Sequence, residues 1–137
     1  MSASFLDSNI FVYLFDETNP AKRQRAEALV YGALATGAAH ISFQVVQEVL
    51  NILTRKLATP PEDARRFMAS TLVPLWQVMP SGRLYERALA LGSRYRFSFY
   101  DSLVVAAALE SGCTRLYSED LQHDQRIEGL TVENPFL

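Results

Sequence analysis

Seven consecutive apolar residues, Leu103-Val104-Val105-Ala106-Ala107-Ala108-Leu109, three of them alanine, constrain this chain more than any other stretch. A helix built from such residues is apolar on every side and has to lie inside a core. Gly112 stands where the residue just past its C-terminus is expected, and Asp101 stands at its head. The run therefore predicts a buried helix that holds one carboxylate at the rim of the core. Whether other acids reach the same rim decides what such a chain can do.

The rest of the chain reads as short strands alternating with longer helices. Ala3 to Leu6 is a mostly apolar run that ends at Asp7, and Ser8 and Asn9 then offer helix-starting chemistry. Asn19-Pro20 predicts a cap and a first helical residue, with Gly37 closing the helix after Thr36. Ala38 to Ile41 reads as a second strand. Ser42 then caps a helix from Phe43 to about Leu57, whose apolar positions Phe43, Val46, Leu50, Leu53 and Leu57 follow helical spacing. Thr59 and Glu62 have capping-box spacing ahead of a helix from Pro61 to about Leu72. Leu75 to Met79 reads as a strand, Gly82 to Tyr95 as a helix, and Thr114 to Tyr117 and Leu130 to Val132 as the last strands. This alternation predicts an α/β chain in three layers, α/β/α, around a central, mostly parallel sheet of about five short strands. At 137 residues, one domain spanning 1–137 is expected.

In such sheets ligands bind beyond the carboxyl ends of the strands. Asp7 and Asp120 fall at carboxyl ends, while Glu48 and Asp101 fall on helices reached from that side. Each acid alone has a plainer explanation: Asp7 as a turn or cap, Asp101 as a carboxylate favoured by a helix N-terminus, Glu48 as a solvated helix residue. Together they would repel, since two unit charges ~4 Å apart cost about 4 kcal/mol at an effective dielectric of ~20. A cation would reverse that cost. Carboxylate oxygens suit a hard ion such as Mg²⁺ or Mn²⁺, and the chain has no paired His and Cys ligands for zinc. An ion held there can activate water for attack on a phosphodiester.

The pieces Phe5-Leu6-Asp7-Ser8-Asn9, Gln47-Glu48, Tyr100-Asp101 with its alanine-rich helix, and Leu116-Tyr117-Ser118-Glu119-Asp120-Leu121 stand in one order along nearly the whole chain. In that order the chain resembles a PIN domain, and within that family the VapC-type toxins of type II toxin-antitoxin pairs. The resemblance implies a Mg²⁺-dependent endoribonuclease, a homodimer, an RNA substrate and a cognate antitoxin partner. It implies Asp7, Glu48, Asp101 and Asp120 as the metal-binding and catalytic acids. Ser118 would take the place of the hydroxyl residue two positions before the last acid, and Asn9 that of the polar residue that steadies the first. Glu119 competes with Asp120 for the fourth place, which motif position gives to Asp120. The alternative is a catalytically silent module of the same fold that binds RNA or a protein partner. A phosphatase of the haloacid dehalogenase type would need a second Asp where Asn9 stands.

Composition removes other classes. The net charge of −2 carries no basic signature, although with four of the 15 acids sequestered, 13 basic residues would outweigh the remaining 11 acids. Cys113 is the only cysteine, so no disulfide can form within the chain and a reducing, cytoplasmic setting is expected. The residues from Met1 to Asp7 lack the pattern of a secretory signal, no apolar run approaches the ~20 residues a membrane span needs, and no phosphate-cradling glycine loop is present.

Overall fold

The computed structural model describes residues 3–137; of the N-terminal segment, Met1 and Ser2 lie outside the described residues. Strand β1 (Ala3–Leu6) runs into a short helix, α1 (Ser8–Val12), and a tight turn, Tyr13–Phe15. Then follow α2 (Pro20–Thr36), β2 (Ala39–Ser42), α3 (Phe43–Asn51), α4 (Pro61–Phe67), α5 (Val73–Leu75) and β3 (Trp76–Val78). The second half contains α6 (Gly82–Tyr95), α7 (Phe99–Glu110), β4 (Cys113–Tyr117), β5 (Arg126–Ile127) and β6 (Leu130–Glu133).

Among the described residues, six strands form one sheet in the order β3-β2-β1-β4-β6-β5. β1 pairs in parallel with β2 on one side and β4 on the other, with Phe5 opposite both His40 and Leu116. β2 with β3 and β4 with β6 are also parallel, and only the β5–β6 hairpin is antiparallel. The chain steps from β1 outward to β2 and β3, then returns across the sheet to β4. Because crossovers between parallel strands are right-handed in nearly all proteins, connections in these opposite directions put α1–α5 and α6–α7 on opposite faces, the three layers expected. The sixth strand, Arg126–Ile127, is too short to leave a periodic trace and was not anticipated.

Local chemistry explains most boundaries. Asn19 Oδ1 accepts from Lys22 N at 3.3 Å, Pro20 fills the first helical position, and Gly37 ends α2 at φ +69°. Ser42 and Ser81 cap α3 and α6 in the same way, each accepting from the backbone N–H three residues on. The apolar run forms α7 as expected, with Ser102 to Ala108 all buried against β4 and β2. Its start differs: Ser98 takes the cap, and Asp101 sits in the third helical position with its N–H donating to Ser98 Oγ. α6 and α7 approach closely at Gly92, where an added Cβ would lie 2.8 Å from Ser102 Oγ.

Three other expectations are corrected. Regular helix in α3 stops at Asn51 and continues to Lys56 only as a widened turn, which leaves Leu57 outside it and exposed. The helix from Pro61 widens in the same way at Met68–Leu72, so β3 begins at Trp76 and not at Leu75. The capping box is not formed. Pro61 is the first helical residue, so Pro60 occupies the cap and Thr59 lies one residue too far back, while Glu62 pairs with Arg65 at 2.9 Å. No helix among the described residues is long and apolar enough to cross a membrane.

Candidate active site

The sheet reverses direction at β1, whose two neighbours lead to opposite halves of the chain, and the crevice between the carboxyl ends of β1 and β4 is where an open α/β sheet binds ligands. The two strands are joined at that edge by Asp7 N–H donating to the Tyr117 carbonyl at 3.0 Å. Asp7 leaves β1 there and caps α1, with Oδ1 accepting from Ser8 N at 2.7 Å. Ser118, fully buried at the end of β4, donates from Oγ to Asp7 Oδ2 at 2.7 Å. Each carboxylate oxygen thus spends one lone pair inside the protein and keeps one for a ligand.

Asp120 lies two residues further on. Its N–H donates to Ser118 Oγ at 3.2 Å, and its Oδ2 accepts from Asn9 Nδ2 at 3.1 Å. Asn9 therefore steadies the last acid, not the first. Glu119 turns the other way and binds Tyr13 and Lys22, so it is Asp120 that shares the network with Asp7.

Glu48 arrives on α3 and is linked to α7 by Gln44, one turn earlier on the same helix. Gln44 Nε2 reaches Glu48 Oε2 at 3.5 Å and donates to the Tyr100 carbonyl at 3.1 Å. Asp101 follows Tyr100 directly in the first turn of α7. Three of the four acids form one electrostatic group. Burial pushes the Asp7 carboxyl up from 3.8 to about 6; the bonds from Ser118 and Ser8 pull it down, and the Glu48 and Asp120 charges push it up. Asp101 stands apart from that group, and Gln44 ties Glu48 to the Tyr100 carbonyl one residue before it.

Sequence reasoning missed Gln44. A polar residue on the buried side of α3, one helical turn before Glu48, was the available signal. His123 stays outside the group, its Nδ1 accepting from Asn134 N at 3.0 Å. Phe99 and Tyr100 are exposed and meet edge to face, with Phe99 stacked on Tyr85. Recesses of about 300 Å³ beside His40 and about 390 Å³ beside Phe15 are lined by none of the four acids.

The donor chemistry fits a hard divalent cation. Every candidate ligand is an oxygen, and two buried side-chain oxygens without a partner, Asn9 Oδ1 and Gln44 Oε1, belong to the two amides that hold Asp120 and Glu48. Among the described residues, no three His, Cys, Asp or Glu side chains stand close enough to hold an ion as a closed group. Oxygen donors of this kind suit a hard ion that keeps several of its own waters.

A family model described as PIN domain matches residues 4–127. Among solved structures, the chain is similar to Mycobacterium tuberculosis VapC20, described as a sarcin-ricin loop cleaving toxin, at 20% identity and TM-score 0.64, covering 86% of this chain and 90% of that one. It is similar to a toxin-antitoxin complex from Klebsiella pneumoniae at 22% identity and TM-score 0.65, covering 98% of both chains. FitAcB from Neisseria gonorrhoeae is 14% identical with TM-score 0.64, covering 97% of this chain and 98% of that one. No curated protein is a significant sequence match. A parallel sheet that reverses at β1, an acid at each carboxyl end of the crevice, and a family match over nearly the whole length lead to one conclusion: the chain belongs to the PIN domain family.

Proposed function

We propose that this protein is a divalent-cation-dependent endoribonuclease and the toxin half of a toxin-antitoxin pair, acting in the cytoplasm as a homodimer. The observation that carries the reading is the buried Asp7 carboxylate, held at the carboxyl edge of β1 by Ser118 and Ser8 and facing the charges of Glu48 and Asp120. Such a carboxylate is costly to keep ionised without a counter-charge. Structural likeness to solved toxins supports the same reading.

Asp7, Glu48, Asp101 and Asp120 would hold Mg²⁺ or Mn²⁺. When bound, the ion supplies charge neutralisation at a phosphodiester and lowers the pKa of water. The chain's own residues prepare the site. Ser118 and Ser8 fix both oxygens of Asp7, Asn9 fixes Asp120, and Gln44 ties Glu48 to the head of α7 beside Asp101.

A second reading, a silent module of the same fold that binds RNA or a partner, is favoured by the absence of a closed three-ligand cluster among the described residues. One assay separates them. The nuclease cleaves RNA with Mg²⁺, stops in EDTA, and loses at least about 100-fold in Asp7→Asn and Asp101→Asn. Cleavage that survives EDTA or either substitution contradicts the mechanism, and RNA binding without cleavage in the wild type favours the silent module.

A further inference from the structure

Two adjacent acids, Glu119 and Asp120, follow Ser118, and motif position favours Asp120 without saying what holds Glu119 away from the site. The answer comes from residues 106 and 97 positions away. Tyr13 Oη donates to Glu119 Oε1 at 2.5 Å, Lys22 Nζ donates to Glu119 Oε2 at 2.5 Å, and Lys22 Nζ donates to Tyr13 Oη at 3.1 Å, closing a triangle.

The triangle stands on rigid supports. Lys22 lies in the first turn of α2, and its ammonium sits 4.9 Å from the Tyr13 ring centroid and 5.6 Å from that of Phe136. The two rings meet edge to face at 4.7 Å, and the C-terminal segment carrying Phe136 is pinned by Arg25 Nε donating to the Pro135 carbonyl at 3.2 Å.

We propose that Tyr13 and Lys22 are positioning residues: by anchoring Glu119 outward they turn its neighbours Ser118 and Asp120 onto Asp7 and the cation site. Neither touches the site; they act through the backbone of residue 119. The inference rests on the reading of Asp7 and Asp120 as cation ligands. Partners of this indirect kind typically alter metal affinity about 10- to 100-fold when removed.

The test is calorimetric titration of Mn²⁺ into the full-length wild type and into Lys22→Met, Glu119→Ala, the double variant and Lys22→Arg, with RNA cleavage measured across Mn²⁺ concentration. Each of the first two should bind Mn²⁺ about 10-fold more weakly, and the double variant no more weakly than the worse single, because the residues act as one unit. Lys22→Arg should restore affinity, and excess Mn²⁺ should restore cleavage with KM for RNA unchanged. Tyr13→Phe removes one hydroxyl while keeping its ring against Phe136; it should show the same defect in milder form and provides the reading if a charge variant fails to fold. Unchanged affinity in Tyr13→Phe and Glu119→Ala, a multiplicative loss near 100-fold in the double variant, or a raised KM that excess Mn²⁺ does not correct overturns the proposal. Wild type that binds no Mn²⁺ overturns the underlying reading instead, and the proposal with it.

Discussion

At the scale of single residues, Asp7 carries the conflict between stability and function. Asp7 is 6% exposed, and burial pushes its carboxyl up to about 6, against 3.8 ordinarily. A raised folded value means that protonation favours the folded state, so this contribution is complete below about 4 and is lost as the pH rises through 6. At ~1.4 kcal/mol for each pH unit, the cation-free protein gives up on the order of 3 kcal/mol at neutral pH. Asp7→Asn should therefore raise the Tm of EDTA-treated protein at pH 7.5 and abolish cleavage. The gain over wild type should shrink toward zero by pH 4, as read by thermal melts across pH. Ser118→Ala should do the opposite: it removes a buried bond to a charged carboxylate and should cost about 1.5–3 kcal/mol in urea unfolding at pH 7.5.

Between elements, the contact of α6 with α7 sets where Asp101 stands. Gly92 permits it, because a Cβ there would press within 2.8 Å of Ser102 Oγ, and that hydroxyl is itself bound to the Ser98 carbonyl at 2.8 Å. Gly92→Ala should destabilise by about 1–3 kcal/mol despite the better helix propensity of alanine, since overpacking outweighs it. Removing the obstructing hydroxyl in Gly92→Ala/Ser102→Ala should recover part of that loss, which chemical denaturation of both variants measures. Element boundaries were legible wherever one side chain decides them: Asn19, Pro20 and Gly37 around α2, and Ser42 before α3. They were not legible where two signals competed. Asp101 looked like the head of α7 while Ser98 took the cap, and Thr59 and Glu62 had the spacing of a capping box while Pro60 held the position. The widened turns at Ile52–Lys56 and Met68–Leu72 were not legible either: helical spacing carried the first of these helices on to Leu57, which lies outside it and exposed.

Across the whole molecule, the sheet order brings residues distant in sequence to one edge. Asp7 and Asp120 were legible as candidates because each follows a strand that reads clearly, and a parallel sheet collects such ends on one side, while Ser118 came only from the family resemblance. Tyr13, Lys22 and Gln44 were not, because the partners that give them meaning lie on other elements. A ligand that binds only the folded state stabilises it in proportion to the logarithm of its concentration. Mg²⁺ should thus raise the Tm at pH 7.5, EDTA should remove the increase, and Asp7→Asn should show little of it. Diffraction from crystals soaked in Mn²⁺, collected at the manganese edge, tests the central claim most directly. The account predicts an anomalous peak at the rim bounded by Asp7, Glu48 and Asp120, absent in Asp7→Asn crystals; no peak there, at a Mn²⁺ concentration that supports RNA cleavage, would contradict it.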